Sequence, residues 1–326
     1  MSDSTPAAKP FAPLSRAALA LVAAFFAVVA WDQSVWWRSM EDYSFGYLAP
    51  VFCLYVIHER RGLIQVALGR CSSEGSPHAA GWRHALLTAS WLVATLFGGL
   101  MFLLGAANAA TSGPAPASTL ATTLGAILAG TGLVWISAPD APERRPSSIL
   151  GDARWKLIAL FVFPMLVWLI SAPLVGVVEG QLRRFLLHQV VTVVFFVFDT
   201  FGLSIQQQGS VLIIPSGHVG VEEACSGIRS LTGCLFAGSF LSALFLDRLW
   251  KKIALLACAL ALAFATNLLR SLFLTAWAYR YGAGSIQGMT HDIAGYAVLG
   301  ITTLGLLCLL PLFNLKAPVA KTEDRI

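Results

Sequence analysis

The sequence has little charge for its length, and its cysteines and histidines show no metal-binding spacing. Only 12% of its 326 residues are charged, whereas soluble domains carry about 25%. Hydrophobic residues make up 57% and form long runs separated by short polar loops. This pattern excludes a soluble globular protein and predicts an all-α polytopic membrane protein. The net charge of +5 is spread over those loops, where basic residues indicate orientation, so we expect no nucleic-acid partner.

The six cysteines include no CxxC pair and no cluster with histidine at zinc-site spacing. Four of them fall inside apolar runs, where a thiol usually packs as a small hydrophobic group: Cys53, Cys234, Cys258 and Cys308. We therefore predict neither a disulfide framework nor a metal or other cofactor. The sequence also lacks the HExxH motif that would suggest an intramembrane metalloprotease.

Eight apolar runs are predicted to cross the membrane as helices. They cover residues 14–31, 46–57, 84–106, 119–137, 157–177, 225–246, 253–277 and 291–313. With both chain ends in the cytoplasm, nearly all loops rich in lysine and arginine lie inside, as the positive-inside rule requires. We predict one transmembrane domain over 14–315, with short cytoplasmic tails at 1–13 and 316–326.

Two further segments precede the third-last span. Residues 178–202 begin with Glu179 and two arginines and continue as an apolar run. Counting this run as a crossing would move Lys251 to the outside, so we predict that it lies in the outer interface or dips in and returns. Residues 203–219 alternate loosely between apolar and polar and are broken at Gly209, which predicts a short β-like hairpin.

Three polar residues from three predicted spans fall in the same outer layer of the membrane. Cys225 and His291 each open a span at the outer side, and Arg270 lies about 25 Å along a helix that begins inside at residue 253. Their chemistry is complementary, because a thiolate attacks a carbonyl carbon, a histidine moves the proton and an arginine stabilises the oxyanion. A helix start and the nearby Arg229 would both favour the thiolate.

Two neighbours of these residues are candidate supporting groups. Asn267 lies one turn before Arg270 on the same helical face and could orient it. Asp292 follows His291 and could orient the imidazole, although adjacent residues of a helix do not face each other.

Two carboxylates, Glu222 and Glu223, come just before the helix that Cys225 opens. They could interact with the helix dipole alone, or they could recognise a basic group on a substrate. Simpler interpretations also exist for the other residues: a cysteine in a span can be packing, and an arginine can extend to the lipid headgroups.

At these residues the sequence resembles the exosortase/archaeosortase family. The resemblance rests on EACSGIRSL, with Cys225, Ser226 and Arg229, on NLLR, with Asn267 and Arg270, and on THDIAGY, with His291. The stretch DYSFGYLAP is similar to the family's N-terminal Y-S-H-G-x-L-x-P motif, with Phe45 in place of the usual histidine. The similarity extends over about residues 30–315.

The resemblance implies a membrane cysteine transpeptidase without a cofactor, with Cys225 as nucleophile, His291 as acid and base, and Arg270 as transition-state stabiliser. It also implies partners: exported proteins with a PEP-CTERM-like C-terminal sorting signal, which consists of a short motif such as Pro-Glu-Pro, a hydrophobic span and a basic cluster. Cleavage would occur at the outer face of the inner membrane, within contact of membrane lipid, and a surface acceptor would receive the acyl group.

Functions of other classes remain open from the residues alone. A polytopic transporter would use polar residues in spans to line a path, and an assembly scaffold for exopolysaccharide or surface-protein export would need no nucleophile. The sequence leaves the recognition motif, the acceptor and the oligomeric state undetermined.

Overall fold

The computed structural model describes residues 13–71, 82–138, 153–220, 228–246 and 248–314. The two predicted tails lie outside these ranges apart from Pro13, and so do four of the predicted site residues: Glu222, Glu223, Cys225 and Ser226. Contacts divide the chain into two compact units, unit 1 (Met1–Gly176) and unit 2 (Val177–Ile326). We describe each unit by itself.

All regular elements in the described part of unit 1 are helices. Its elements are α1 (Pro13–Ser39), a 3-10 helix (Glu41–Tyr47), α2 (Leu48–Glu59), α3 (Arg61–Cys71), α4 (Trp82–Ser112), α5 (Pro116–Ser137) and α6 (Ala153–Ser171). Four of these helices are long and apolar enough to span a membrane, namely α1, α4, α5 and α6. These four correspond to spans that the hydrophobic pattern predicts.

The predicted span at 46–57 is too short to cross the membrane: it covers the end of the 3-10 helix and most of α2, and the chain then continues as a separate helix, α3. The 12 residues of α2 extend only about 18 Å, which is short of a hydrocarbon core of about 30 Å. Tyr43, just before α2, accepts a hydrogen bond from the Leu174 N–H beyond the end of α6. Ile64 of α3 packs in the same core cluster as the first turns of α6. The chain therefore follows α6 over its length as two consecutive helices.

A buried amide holds three helices of unit 1 together. Gln33 is fully buried, and its Nε2 donates to Thr123 Oγ1 at 2.9 Å and to the Trp168 carbonyl at 3.0 Å. Its Oε1 accepts a hydrogen bond from Ser171 Oγ at 2.8 Å. The amide is thus satisfied by α5 and α6. These partners let α1 continue to Ser39, beyond the predicted end at residue 31.

A proline inside α6 is matched by side chains from the preceding helices. Pro164 has no N–H, so the carbonyl of Leu160 loses its usual helical donor. Arg60, between α2 and α3, donates from Nη1 to that carbonyl at 3.2 Å. The Cys53 thiol of α2 donates to the Pro164 carbonyl at 3.1 Å. Cys53 is therefore a buried packing residue, as its apolar surroundings predict.

The stretch that resembles the N-terminal family motif is a packing site. Trp37 donates from Nε1 to the Ser171 carbonyl at 2.9 Å, and its indole lies directly over the backbone of Gly46. A Cβ at residue 46 would lie 2.1 Å from Trp37 Nε1, far inside any allowed contact. Gly46 is therefore required by this close approach.

We predict that Gly46→Ala lowers the free energy of unfolding by about 1–3 kcal/mol, the usual cost of overpacking a tight site. Thermal unfolding of the purified protein in detergent measures it. Gly99→Ala is the matched control, since no atom lies within 4 Å of a Cβ at that helical glycine. The control should leave stability unchanged or raise it by up to about 1 kcal/mol. Equal unfolding midpoints for the two variants would contradict the packing role of Gly46.

Unit 2 combines helices with a small sheet. Its elements are α7 (Gly176–Thr200), β1 (Gln206–Gln208), β2 (Val211–Ile214), β3 (Gly217–Gly220), α8 (Ile228–Phe245), α9 (Leu249–Tyr281), a 3-10 helix (Ala283–Ile286) and α10 (Met289–Asn314). The strands are antiparallel in the order β1-β2-β3, with Leu212 opposite Val219. The predicted hairpin is confirmed and carries a third strand.

The described part of the chain contains eight helices long and apolar enough to cross a membrane. The number agrees with the sequence prediction and confirms an all-α polytopic membrane protein. The membership differs, because α7 is among the eight and α2 is not. As one uninterrupted helix of 25 residues, α7 contains no chain reversal of the kind that a re-entrant loop needs.

One side of α7 packs in the core of unit 2. Val190, Val191 and Val194 are buried in a cluster with Leu212 of the sheet and Leu274 of α9. The apolar alternation of β2 and β3 is explained by this cluster, because the inward residues of both strands join it. The sheet is thus fixed to α7 and α9 at the point where the chain approaches Cys225.

If both chain ends lie in the cytoplasm, residue 248 between α8 and α9 is on the cytoplasmic side. In a background without native cysteines, Arg248→Cys should resist a membrane-impermeant thiol reagent in intact cells and react after permeabilisation. Ser204→Cys, between α7 and β1, is the control and should react from outside. Labelling of residue 248 from outside would contradict the predicted orientation, because it would require an odd number of crossings before α9.

Candidate functional site

The turn between α9 and α10 positions the first of the predicted site residues. Gly282 and Gly288 have φ values of +93° and +64°, which glycine adopts without strain. The Gly288 carbonyl accepts a hydrogen bond from the Asp292 N–H at 3.1 Å, so α10 begins here. His291 therefore lies in the first turn of α10, in agreement with the prediction that it opens the last span.

Arg270 of α9 and His291 of α10 are in direct contact. Arg270 Nη2 lies 2.9 Å from His291 Nε2 and donates a second hydrogen bond to the His291 carbonyl at 3.3 Å. Both side chains are partly buried. Because a guanidinium can only donate, Nε2 must accept, and the neutral imidazole then carries its proton on Nδ1. Two of the three residues that the sequence predicted at one depth are thus hydrogen-bonded.

The other imidazole nitrogen faces a carboxylate. His291 Nδ1 lies 3.5 Å from Asp292 Oδ1, and the aspartate side chain is 68% exposed. The distance exceeds that of a good hydrogen bond, but the negative charge favours a proton on Nδ1. Asp292 therefore reaches the imidazole even though the two residues are adjacent on one helix.

Asn267 makes no hydrogen bond to Arg270 within the described residues. The asparagine is 4% exposed, and its Oδ1 is a buried polar atom without a partner there. The Nε of Arg270 is in the same condition. An unsatisfied buried group costs about 1–3 kcal/mol, and such groups call for a functional or structural explanation. Both atoms belong to the same two turns of α9.

Gly295 also faces this pair and was not among the residues predicted from the sequence. It lies one turn after His291, and a Cβ at residue 295 would be 3.6 Å from Arg270 Nη2 and 3.9 Å from Cζ. A methyl group would fit at residue 295, whereas a larger side chain would meet the guanidinium. The detectable signal was the spacing of four residues from His291, which places Gly295 on the same helical face.

Two buried threonine hydroxyl groups also join α9 and α10, at a distance from the Arg270–His291 pair. Thr266 Oγ1 and Thr302 Oγ1 are 2.9 Å apart in the buried contact between α9 and α10. Such bonds between spans add modest stability in lipid, where no water can replace them. They fix the rotation of α9, and with it the direction in which Arg270 points.

The remaining predicted residues fall in different places. Arg229 lies in the first turn of α8 and is exposed. Glu222, Glu223, Cys225 and Ser226 lie outside the described residues, shortly before α8 begins at Ile228.

A comparison with family models supplies the class of the protein. The model described as transmembrane exosortase (Exosortase_EpsH) matches residues 36–308, which include the sequence around Cys225, Arg270 and His291. The chain belongs to the transmembrane exosortase family. This exosortase is accordingly a multi-pass membrane protein with a general transpeptidase role toward exported proteins that carry C-terminal signals. No curated protein and no solved structure matches the chain.

The limited space between Gly295 and Arg270 predicts that a large side chain at residue 295 changes the reactivity of His291. Gly295→Leu should displace the guanidinium and free Nε2, so that carbethoxylation of His291 becomes about fivefold faster, if the hydrogen bond contributes on the order of 1 kcal/mol. Mass spectrometry of the modified peptide measures the rate, with the exposed His218 as internal reference.

Gly300→Leu is the matched control, since a Cβ at this position of α10 meets no atom within 4 Å. It should leave the rate at His291 unchanged. Equal rates in both variants would show that Gly295 does not determine the position of Arg270.

Proposed function

We propose that this exosortase is a cysteine transpeptidase that cleaves the C-terminal sorting signal of exported proteins and transfers them to a surface acceptor. The observation that supports it best is the hydrogen bond between Arg270 Nη2 and His291 Nε2. An acid–base group and a cation are held together in the unit that also carries the ACSGIR sequence. In this proposal Cys225 is the nucleophile.

The first half of the reaction forms a thioester. The Cys225 thiol transfers its proton to His291, and the sulfur attacks the scissile carbonyl carbon. Arg270 stabilises the oxyanion of the tetrahedral intermediate. When the intermediate collapses, the C–N bond breaks and the leaving amine takes the proton from His291. The C-terminal signal departs, and the exported protein remains bound to sulfur through its new C-terminal carbonyl.

The second half transfers the acyl group. A nucleophile of the acceptor, an amine or a hydroxyl, gives its proton to His291 and attacks the thioester carbonyl. Arg270 again stabilises the oxyanion, the C–S bond breaks, and the sulfur leaves with the proton that His291 returns. The enzyme is restored, and no oxidant or cofactor is required for either half.

The geometry of Arg270 suits two tasks in one cycle. Its guanidinium has five N–H donors, and the structure uses Nη2 for both contacts to His291. The contact to the His291 carbonyl can hold the side chain in place while other donors meet the oxyanion. Nε2 of His291 is then released from the arginine and can exchange a proton with the thiol.

We assign supporting roles to six further residues. Asp292 keeps the proton on Nδ1 of His291, and Arg229 favours the thiolate. Asn267 and Ser226 shape the surroundings of Arg270 and Cys225. Glu222 and Glu223 recognise a basic group on the substrate.

An outer location of the site follows from the substrate, because an exported chain presents its signal at the outer face of the inner membrane. The basic loops support the same orientation, with both chain ends in the cytoplasm.

Co-expression with a reporter tests the proposal. A secreted protein with a C-terminal sorting signal from the same organism is expressed with the wild type or a variant, and its mass and membrane attachment are measured. Cys225→Ala should abolish loss of the signal. His291→Ala and Arg270→Ala should slow it by about 10²–10³-fold, and Arg270→Lys should restore little, because an ammonium lacks the planar fork of donors.

Matched controls separate chemistry from folding. Cys308→Ala, His218→Ala and Arg280→Gln change residues of the same types in unit 2 that lie away from the Arg270–His291 pair, and each should process the reporter like the wild type. Equal processing by wild type and Cys225→Ala would remove the thiol mechanism and would favour a carrier or scaffold. Loss of processing in the controls would indicate a folding effect.

A further inference from the structure

Unit 1 contains a cavity that the proposed reaction does not use. Its volume is about 560 Å³, within the range of about 300–1,000 Å³ that is usual for small-molecule sites. It is lined by α1, α2, α3 and α6, almost entirely with aliphatic and aromatic side chains. We propose that it binds one anionic phospholipid, with an acyl chain in the cavity and the phosphate on Arg61.

The depth of the cavity corresponds to one leaflet. Along α1 its lining residues run from Leu19 to Ala30, which is about 16 Å at 1.5 Å per residue. This is about half of a hydrocarbon core of about 30 Å. The cavity therefore accommodates a chain that enters from one membrane surface and ends near the midplane.

Small side chains on α1 open the cavity toward the surrounding lipid. Ala23 and Ala27 are one turn apart, line the cavity and are exposed. On the facing helix, Leu54 and Ile57 line it and are also exposed. An acyl chain can thus enter sideways between α1 and α2, without passing through water.

A single cation lies at one end of the cavity. Among the described lining residues, Arg61 is the only charged one, and Gln65 follows it one turn later on α3. The neighbouring Arg60 is used by the Leu160 carbonyl, whereas Arg61 is exposed and has no hydrogen-bond or ion-pair partner within the described residues. A guanidinium binds phosphate through two parallel hydrogen bonds, and basic pockets between membrane helices bind anionic headgroups.

The charge of Arg61 also distinguishes the lipid from another apolar occupant. The tail of a sorting signal ends in basic residues under the proposed function, so it would bring like charge to Arg61. A neutral lipid would fill the apolar part but leave the guanidinium without an anion. An anionic phospholipid satisfies both the apolar walls and the cation.

Native mass spectrometry of the full chain in detergent tests this site, with palmitoyl-oleoyl-phosphatidylglycerol as the probe. The wild type should bind one lipid. Arg61→Gln should weaken binding about fivefold, and Ala27→Phe, which fills the cavity, should prevent it. Two control variants, Arg38→Gln and Ala24→Phe, should bind the lipid like the wild type. Both change exposed residues of α1 that do not line the cavity.

Several results would overturn the proposal. Equal weakening of lipid binding by Arg61→Gln and Arg38→Gln would indicate nonspecific attraction to the headgroup. Unchanged lipid binding by Ala27→Phe would mean that the acyl chain does not occupy this cavity. Displacement of the lipid by a sorting-signal peptide, independent of Arg61, would make the substrate tail the occupant. Inorganic phosphate should not compete. The measurement needs no enzymatic turnover, so it stands apart from the test of the proposed function.

Discussion

The constraint on which this structure depends is that lipid offers no hydrogen-bond partner, so polar atoms at membrane depth must find partners inside the protein. The side-chain amide of Gln33 finds three hydrogen-bond partners on α5 and α6. Arg60 donates a hydrogen bond to the Leu160 carbonyl, which lacks its helical donor because of Pro164. In both cases a polar side chain joins neighbouring helices. The same constraint makes the few unsatisfied atoms informative.

Among the described residues four buried polar atoms have no hydrogen-bond partner: Asp32 Oδ2 and Trp135 Nε1 in unit 1, and Asn267 Oδ1 and Arg270 Nε at the candidate catalytic pair. Arg270 uses Nη2 for His291, but its buried Nε has no partner within the described residues, and neither does the buried Oδ1 of Asn267. A purely structural arginine would be expected to have its buried donors satisfied. Together with the exosortase family match over residues 36–308, this is consistent with the role proposed for Arg270.

The two units use arginine in different ways. In unit 2 the guanidinium of Arg270 is partly buried and directed at an imidazole. In unit 1 Arg61 lies at the end of an apolar cavity and remains exposed. Burial fits the two proposed roles, oxyanion stabilisation by Arg270 and phosphate binding by Arg61. A partly dehydrated cation interacts strongly with a nearby charge that develops during a reaction. An exposed cation suits a ligand whose headgroup remains at the water surface.

The sequence by itself determined the class of the protein, because the apolar runs needed for membrane solubility are a local property. It also predicted that Arg270 and His291 lie at one depth, since helix rise and basic loops set depth. Only the tertiary structure decided that α1 continues to Ser39, that the predicted span at 46–57 is the short α2 followed by a separate α3, and that Gly295 faces Arg270. These features depend on partners distant in sequence, which periodicity and charge counting cannot identify.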